Sequence, residues 1–263
     1  MRNSCKAIVL FILFTCNIFA GTFSDEFFEI TDTQERKEEF VKTLLPLIEE
    51  ANVNVLKERE FVLGFFEKTQ KSGLKKANKD ELLKITNIAK KYNIESIEDR
   101  KLFESRVDAV PVSLALTQAA LESGWGTSRF TKEANNIFGQ WTWSTNENAG
   151  IVPENREDGK THKIRIFKSL QESVNAYILN LNRHDAYKKF RDERAKHGDG
   201  FNGVAAAETM LNYSEIREEY VTLLKRVING NKFLKYDEVE TVAEASTGGI
   251  KGLLVSWLQL GRK

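Results

Sequence analysis

Cysteine, methionine and proline are nearly absent from this chain, and each scarcity excludes something. Its 263 residues include two cysteines, two methionines and three prolines. Both cysteines, Cys5 and Cys16, fall in the first sixteen residues, so the rest of the chain has neither disulfides nor thiolate chemistry. The three histidines, His162, His184 and His197, are scattered through polar stretches without HExxH or paired-ligand spacing, and no metal site is expected. There is no phosphate-binding glycine loop. Ser123 follows Glu122 at a helix end and does not lie between glycines on a strand-to-helix turn, which excludes a nucleophile elbow. No cofactor is expected. Charge of either sign is not in excess, with 39 Lys and Arg against 38 Asp and Glu. Without a basic cluster interleaved with aromatics, nucleic acid is not an expected partner.

The length suits one good core, or a core with a smaller helical region beside it. Residues 1–20 have the pattern of a targeting segment: Arg2 and Lys6 give a positive start, a short apolar run extends from Ala7 to Phe19, and Ala20-Gly21 offers small residues for cleavage. The run is short for a membrane span. Export to the periplasm or cell envelope is expected, with a retained N-terminal anchor as the alternative. Phe14 and Thr15 before Cys16 fit a lipid-attachment signal poorly.

Residues 21–106 are helical in pattern. Phe40, Val41, Leu44, Leu45, Leu47, Ile48 and Ala51 recur at three- and four-residue spacing, and Leu82, Leu83, Ile85, Ile88 and Ala89 repeat the pattern after the cap candidates Asn78 and Asp80. The charges between them read as solvated faces. Residues 111–123, opened by Pro111 and Ser113, form the most apolar helix after the targeting segment. From Gly124 to Lys168 turn formers, three tryptophans and the alternating run His162 to Phe167 predict a small β-hairpin. Ser169 with Glu172 predicts a capping box before the helix of Val174, Tyr177, Ile178 and Leu181. Helices continue through Ile228. The tail, 236–263, passes through AEASTGG to a short apolar end, either a packing helix or a weak membrane-surface anchor. Oligomeric state leaves no trace in the sequence.

Chemistry concentrates in LALTQAALESGWGTSRF. Gln118, Ala119 and Ala115 share a helix face with Glu122. Small alanines allow close approach, so the carboxyl is expected to sit against protein, at a helix C-terminus whose dipole disfavours negative charge. Both effects push its pKa upward. A carboxyl protonated near neutral pH is what a general acid needs to protonate a glycosidic oxygen. Gly124 and Gly126 are expected to break the helix and keep space beside the acid, while Trp125 offers a flat face for a sugar ring. Asn136, Phe138, Gly139, Gln140 and Trp141, in the run NNIFGQWTW, add a turn and further aromatics to the same expected groove.

The run RVDAVPVSLALTQAALESGWGTSRF followed by NNIFGQW resembles the Bax-type branch of the glucosaminidase family, glycoside hydrolase family 73. LLPLIEEAN, GIVPENREDGKTH, LNLNRHDAYKKFR and LNYSEIREEYVTLLKRVI extend the likeness over roughly residues 33 to 235. The resemblance implies an α+β, mainly α-helical fold: a lysozyme-like catalytic domain over 107–235 with a small β lobe and an N-terminal helical extension. It implies cleavage of β-1,4 bonds on the reducing side of N-acetylglucosamine in the glycan strands of peptidoglycan, with Glu122 as catalytic acid and Tyr213 of NYSE as the family's late tyrosine. The family's second glutamate has no clean match, because Glu154, Glu157 and Asp158 all lie near its place. Glu154 is carried as the candidate, and the substrate's own N-acetyl group is the alternative to a second carboxylate. Two rival readings stay open: a lytic transglycosylase, whose usual ES-x-x-NP continuation is missing here, and a scaffold that binds glycan without cleaving it.

Overall fold

The structure, a computed structural model, describes residues 21–70, 73–154 and 156–238. Its helices are α1 (Asp25–Glu29), α2 (Thr33–Thr69), α3 (Lys79–Lys91), α4 (Arg100–Arg106), α5 (Val112–Ser123), α6 (Arg129–Ala134), α7 (Leu170–Arg183), α8 (Lys188–His197), α9 (Gly203–Ala207) and α10 (Arg217–Gly230). Between α6 and α7 lies a small sheet of β1 (Trp141–Thr142), β2 (Gly150–Ile151) and β3 (Lys163–Arg165). The fold is α+β and mainly helical.

Local sequence accounts for most boundaries. Asp32 starts α2 by accepting from Glu35 N at 2.8 Å. Asn78 and Glu81 form a reciprocal capping box on α3, so Asn78 is the cap and Asp80 lies in the first turn. On α7 the box is only half formed: Ser169 accepts from Glu172 N, but Glu172 bonds Lys168 N at 2.9 Å. The expected hairpin is a three-stranded antiparallel sheet of order β1-β3-β2, with Trp141 opposite Ile164 and Gly150 opposite Arg165. Its strands are shorter than the alternation suggests, because Ile166 and Phe167 leave the ladder to bond Ala149 and Ala134 carbonyls.

Helix α5 is the axis of the molecule. Residues 113 to 120 along it are buried on every side, as an all-round apolar helix requires. Its N-cap, Pro111, makes no side-chain capping hydrogen bond. Asp237 does that work from the far end of the chain, accepting from Ser113 N and Gly203 N at 2.8 Å each and from the Ser113 hydroxyl. The packing around α5 therefore extends past residue 235 to include Asp237. Residues 239–263, which hold the apolar tail, and residues 1–20, where a targeting segment is expected, lie outside the described residues.

The N-terminal helices share this core. Phe40, Leu44 and Ile48 of α2 belong to one apolar cluster with Leu114 and Leu116 of α5 and Leu170 and Leu181 of α7. Asn52, buried in α2, donates to Val110 O at 2.8 Å and accepts from Val110 N at 3.0 Å. That amide pair fixes α2 to the segment leading into α5, and no break in the core separates residues 21–106 from the helices that come after them in the chain.

Candidate active site

Three consecutive left-handed residues end α5: Gly124 (φ 58), Trp125 (φ 56) and Gly126 (φ 80). The reversal turns the chain sharply and lets Phe23 and Phe27 pack onto Gly126, where a Cβ would lie 2.8 Å from the Phe27 ring. Trp125 consequently faces away from the groove expected for it. Its indole meets Phe40 edge-on at 5.4 Å, with the Lys37 ammonium 4.9 Å from the ring centre. The glycines and Trp125 serve the docking of α1 and α2, a correction to the reading of that motif as sugar-binding.

Glu122, one residue before the end of α5, opens instead onto a cleft of about 1140 Å³ on the other side. Phe138, Gly139, Gln140 and Trp141 line the cleft with it, as do Trp143 and Tyr213. Solvent reaches Glu122 through the mouth of the cleft, so it is less enclosed than expected. Burial by the surrounding walls still raises its pKa, with a hydrogen bond from Tyr220 opposing the rise.

That bond is one end of a chain of side chains the sequence did not announce. The Tyr220 hydroxyl donates to Glu122 Oε1 at 2.7 Å, Gln118 Nε2 donates to the Tyr220 hydroxyl at 3.2 Å, and the Tyr177 hydroxyl donates to Gln118 Oε1 at 2.5 Å. Gln118 is fully buried, so it orients Tyr220 and does not touch a ligand. Tyr213 stacks on Tyr220 with centroids 5.5 Å apart and planes 5° from parallel, and Tyr187 lies 6.2 Å beyond it. Burial is the main cause that raises the phenols of Tyr177, Tyr213 and Tyr220, followed by the neighbouring Tyr220 for the first two and by the charge of Glu122 for Tyr220 itself; burial also raises Tyr187, against a hydrogen bond with Asn180. All four stay protonated and can donate.

The NNIFGQ turn forms the opposite wall. Asn136 is buried rather than available to sugar: its amide donates to Gln140 O and Arg165 O and accepts from Gln140 N, all within 2.9 Å. The clamp folds the loop so that Phe138 stacks on Tyr177 at 3.9 Å and Gln140 Nε2 reaches Ser173 O at 3.0 Å. Gly139 (φ 61) then presents bare backbone to the acid, and a Cβ there would lie 3.8 Å from Glu122 Oε2. Beyond it Trp141 and Trp143 remain 52% and 65% exposed, a large apolar area to leave in water unless a ligand covers it. Trp141 is held by His162 stacked at 4.3 Å.

Glu154 does not line the cleft. It lies on an exposed turn between β2 and β3 and pairs with Arg129 of α6; Glu157 and Asp158 are likewise exposed and outside the cleft. Among the described residues, Glu122 and Glu172 are the carboxylates on the cleft wall, and Glu172 is occupied at the start of α7. The remaining wall comes from α2 and the end of α3, through Ala51, Asn54, Val55 and Lys91. Sequence periodicity offered these only as helix faces.

Residues 102–233 match the family model described as Glucosaminidase, mannosyl-glycoprotein endo-beta-N-acetylglucosaminidase. The chain is 32% identical over 203 residues to Protein bax of Escherichia coli (strain K12), an alignment covering 76% of this chain and 71% of that protein. It is 34% identical over 93 residues to peptidoglycan hydrolase FlgJ of Salmonella typhimurium, covering 32% of this chain and 29% of that protein. The FlgJ of Escherichia coli (strain K12) matches at the same identity and length. No solved structure matches. The matched region contains the acid, the turn that faces it and the tyrosine that holds it, and the chain belongs to the glucosaminidase family.

Proposed function

We infer that this protein is a peptidoglycan hydrolase, an endo-β-N-acetylglucosaminidase that cleaves β-1,4 bonds on the reducing side of N-acetylglucosamine. The observation that carries the reading is Glu122: a carboxyl with raised pKa, fixed through one oxygen by Tyr220 and opening through the cleft onto the backbone of Gly139 and the exposed faces of Trp141 and Trp143. Peptidoglycan as the polymer is supported by the likeness to proteins named peptidoglycan hydrolase.

In this reading Glu122 protonates the departing glycosidic oxygen. Tyr220 anchors Oε1, which leaves Oε2, on the Gly139 side, to carry the proton. Since Glu154, Glu157 and Asp158 lie off the cleft and Glu172 holds a helix cap, the substrate's own 2-acetamido group supplies the nucleophile, with the Tyr213 and Tyr187 hydroxyls available to steady it. Water then opens the resulting cyclic intermediate from the face the leaving group vacated, which releases the acetamido oxygen and preserves anomeric configuration. The protein acts outside the cytoplasm, to which the positive, apolar, small-residue order of residues 1–20 would direct it.

Mass spectrometry of purified peptidoglycan digested by the full chain tests the reaction. Reducing N-acetylglucosamine ends, lost with Glu122→Gln, are expected. Anhydro-muramyl ends would make the protein a transglycosylase, and intact polymer with retained binding would make it a scaffold. Proton NMR of the fresh product should show retention, and inversion would remove the acetamido step. N-terminal sequencing of envelope protein should begin near Gly21; protein found only in the cytoplasm would contradict the localisation.

A further inference from the structure

The cleft is longer than one glycosidic bond requires. One face of α7, through Glu172, Asn175, Ala176, Leu179 and Arg183, forms its floor. Eleven residues of helical rise make that floor about 16 Å long. The Gln140 turn sits over its start, at Ser173, and Tyr187 and Arg183 mark its far end.

At that far end the wall is cationic. Arg106 donates to Tyr92 O at 3.1 Å and to Asp185 at 2.7 Å, which brings the end of α3 against the end of α7. Lys91 and Arg183, close in sequence to those two residues, both line the cleft, as does Asn54, one turn before the Glu58 of α2 that pairs with Lys91. Arg183 is exposed and has no ion pair among the described residues. Lys91 pairs with Glu58 at 2.8 Å, and with side chains 40% and 25% exposed the pair is weak and open to exchange. The two cleft carboxylates are elsewhere, Glu122 beside Gly139 and Glu172 at the opposite end of α7. Lys91 and Asn54 lie outside residues 102–233, so this surface is an addition made by the N-terminal helices.

We propose that Arg183, Lys91 and Asn54 form a subsite for a carboxylate-bearing peptide substituent on the glycan strand, so that the protein prefers peptide-substituted glycan to bare glycan. This rests on the peptidoglycan reading. Two cations on separate helices suit a flexible acidic peptide, and the Asn54 amide can bond its backbone. The N-acetylglucosamine ring is neutral and has no use for either cation.

The test is equilibrium binding of soluble peptidoglycan fragments to the full chain carrying Glu122→Gln, which prevents turnover. Fragments bearing stem peptides are compared with the same fragments after an amidase has removed them. Peptide-bearing fragments should bind about fivefold tighter, a preference that shrinks as salt is raised and that Arg183→Gln with Lys91→Gln removes. Since Arg183 has no ion pair among the described residues, Arg183→Gln alone should lower the preference without altering the melting temperature. Equal binding of both fragments to the parent protein overturns the subsite and leaves the peptidoglycan reading standing. A preference that survives the double substitution overturns it as well. Binding of neither fragment overturns both.

Discussion

The hydroxyl of Tyr220 lies 2.7 Å from Glu122 Oε1, across a sequence separation of 98 residues. Helix α10 delivers the phenol to the end of α5, and Gln118, one turn before Glu122, fixes its direction. The acid is thus positioned by α10, far along the chain, rather than by its own neighbourhood alone.

Replacing Glu122 with Gln should lower hydrolysis by about a thousandfold, because Glu172, the other carboxylate on the described cleft wall, is occupied at the start of α7. Activity of the wild type should fall as pH rises through the raised pKa of the acid. Stability carries the same sign. A carboxyl whose folded-state pKa is raised supports the fold below its unfolded-state value and loses that support as pH rises through the folded value. Glu122→Gln should therefore match the wild type in acid and gain on it in melting temperature toward neutral pH. A variant that loses ground on the same climb would contradict the raised pKa.

Tyr220→Phe removes a donor that favours the ionised carboxylate, so the pKa of Glu122 should rise further. The alkaline limb of the kcat profile should move to higher pH while kcat at its optimum drops about tenfold or more through lost orientation. A purely structural role would lower the amount of folded enzyme and leave the pH profile where it was.

Gln118→Leu keeps roughly the volume but strands the fully buried Tyr177 hydroxyl, which donates its hydrogen bond to Gln118 Oε1. The cost should be about 2 kcal/mol in urea denaturation. A loss below a few tenths would show that the hydroxyl finds another partner.

Deleting residues 21–106 should leave no folded protein, since Phe40, Leu44 and Ile48 complete the core around α5 and α7 and Asn52 holds Val110. Circular dichroism and gel filtration of the truncated chain decide this. A soluble, fully active fragment would show that the helices are an accessory.

How much of this was legible in the sequence depended on whether a residue's role is local. Asn78 and Glu81 cap a helix three residues apart, and that pairing can be read from spacing. Glu122 could be singled out because it ends an all-round apolar helix inside a run that resembles the glucosaminidase motif. Trp125 and Asn136 were misplaced because a motif reports which residues sit together in the chain but not which way they turn. Left-handed φ at 124–126 swings Trp125 toward Phe40, and Asn136 spends all its hydrogen bonds on its own loop and the adjacent strand. Tyr177 and Tyr220 sit within apolar stripes of α7 and α10, so periodicity marks them as core and is silent about their hydroxyls.

By itself, then, the sequence determined the helices, the position of the β lobe and which carboxyl stands out, because these rest on short-range periodicity, caps and a local motif. Only the tertiary structure decided what holds that acid, which aromatic rings face the cleft, that Asp237 caps α5, and that α2 and α3 build a wall of the site. Each of those is a contact between residues far apart in the chain, fixed by how the helices pack around α5, and local spacing carries no record of it.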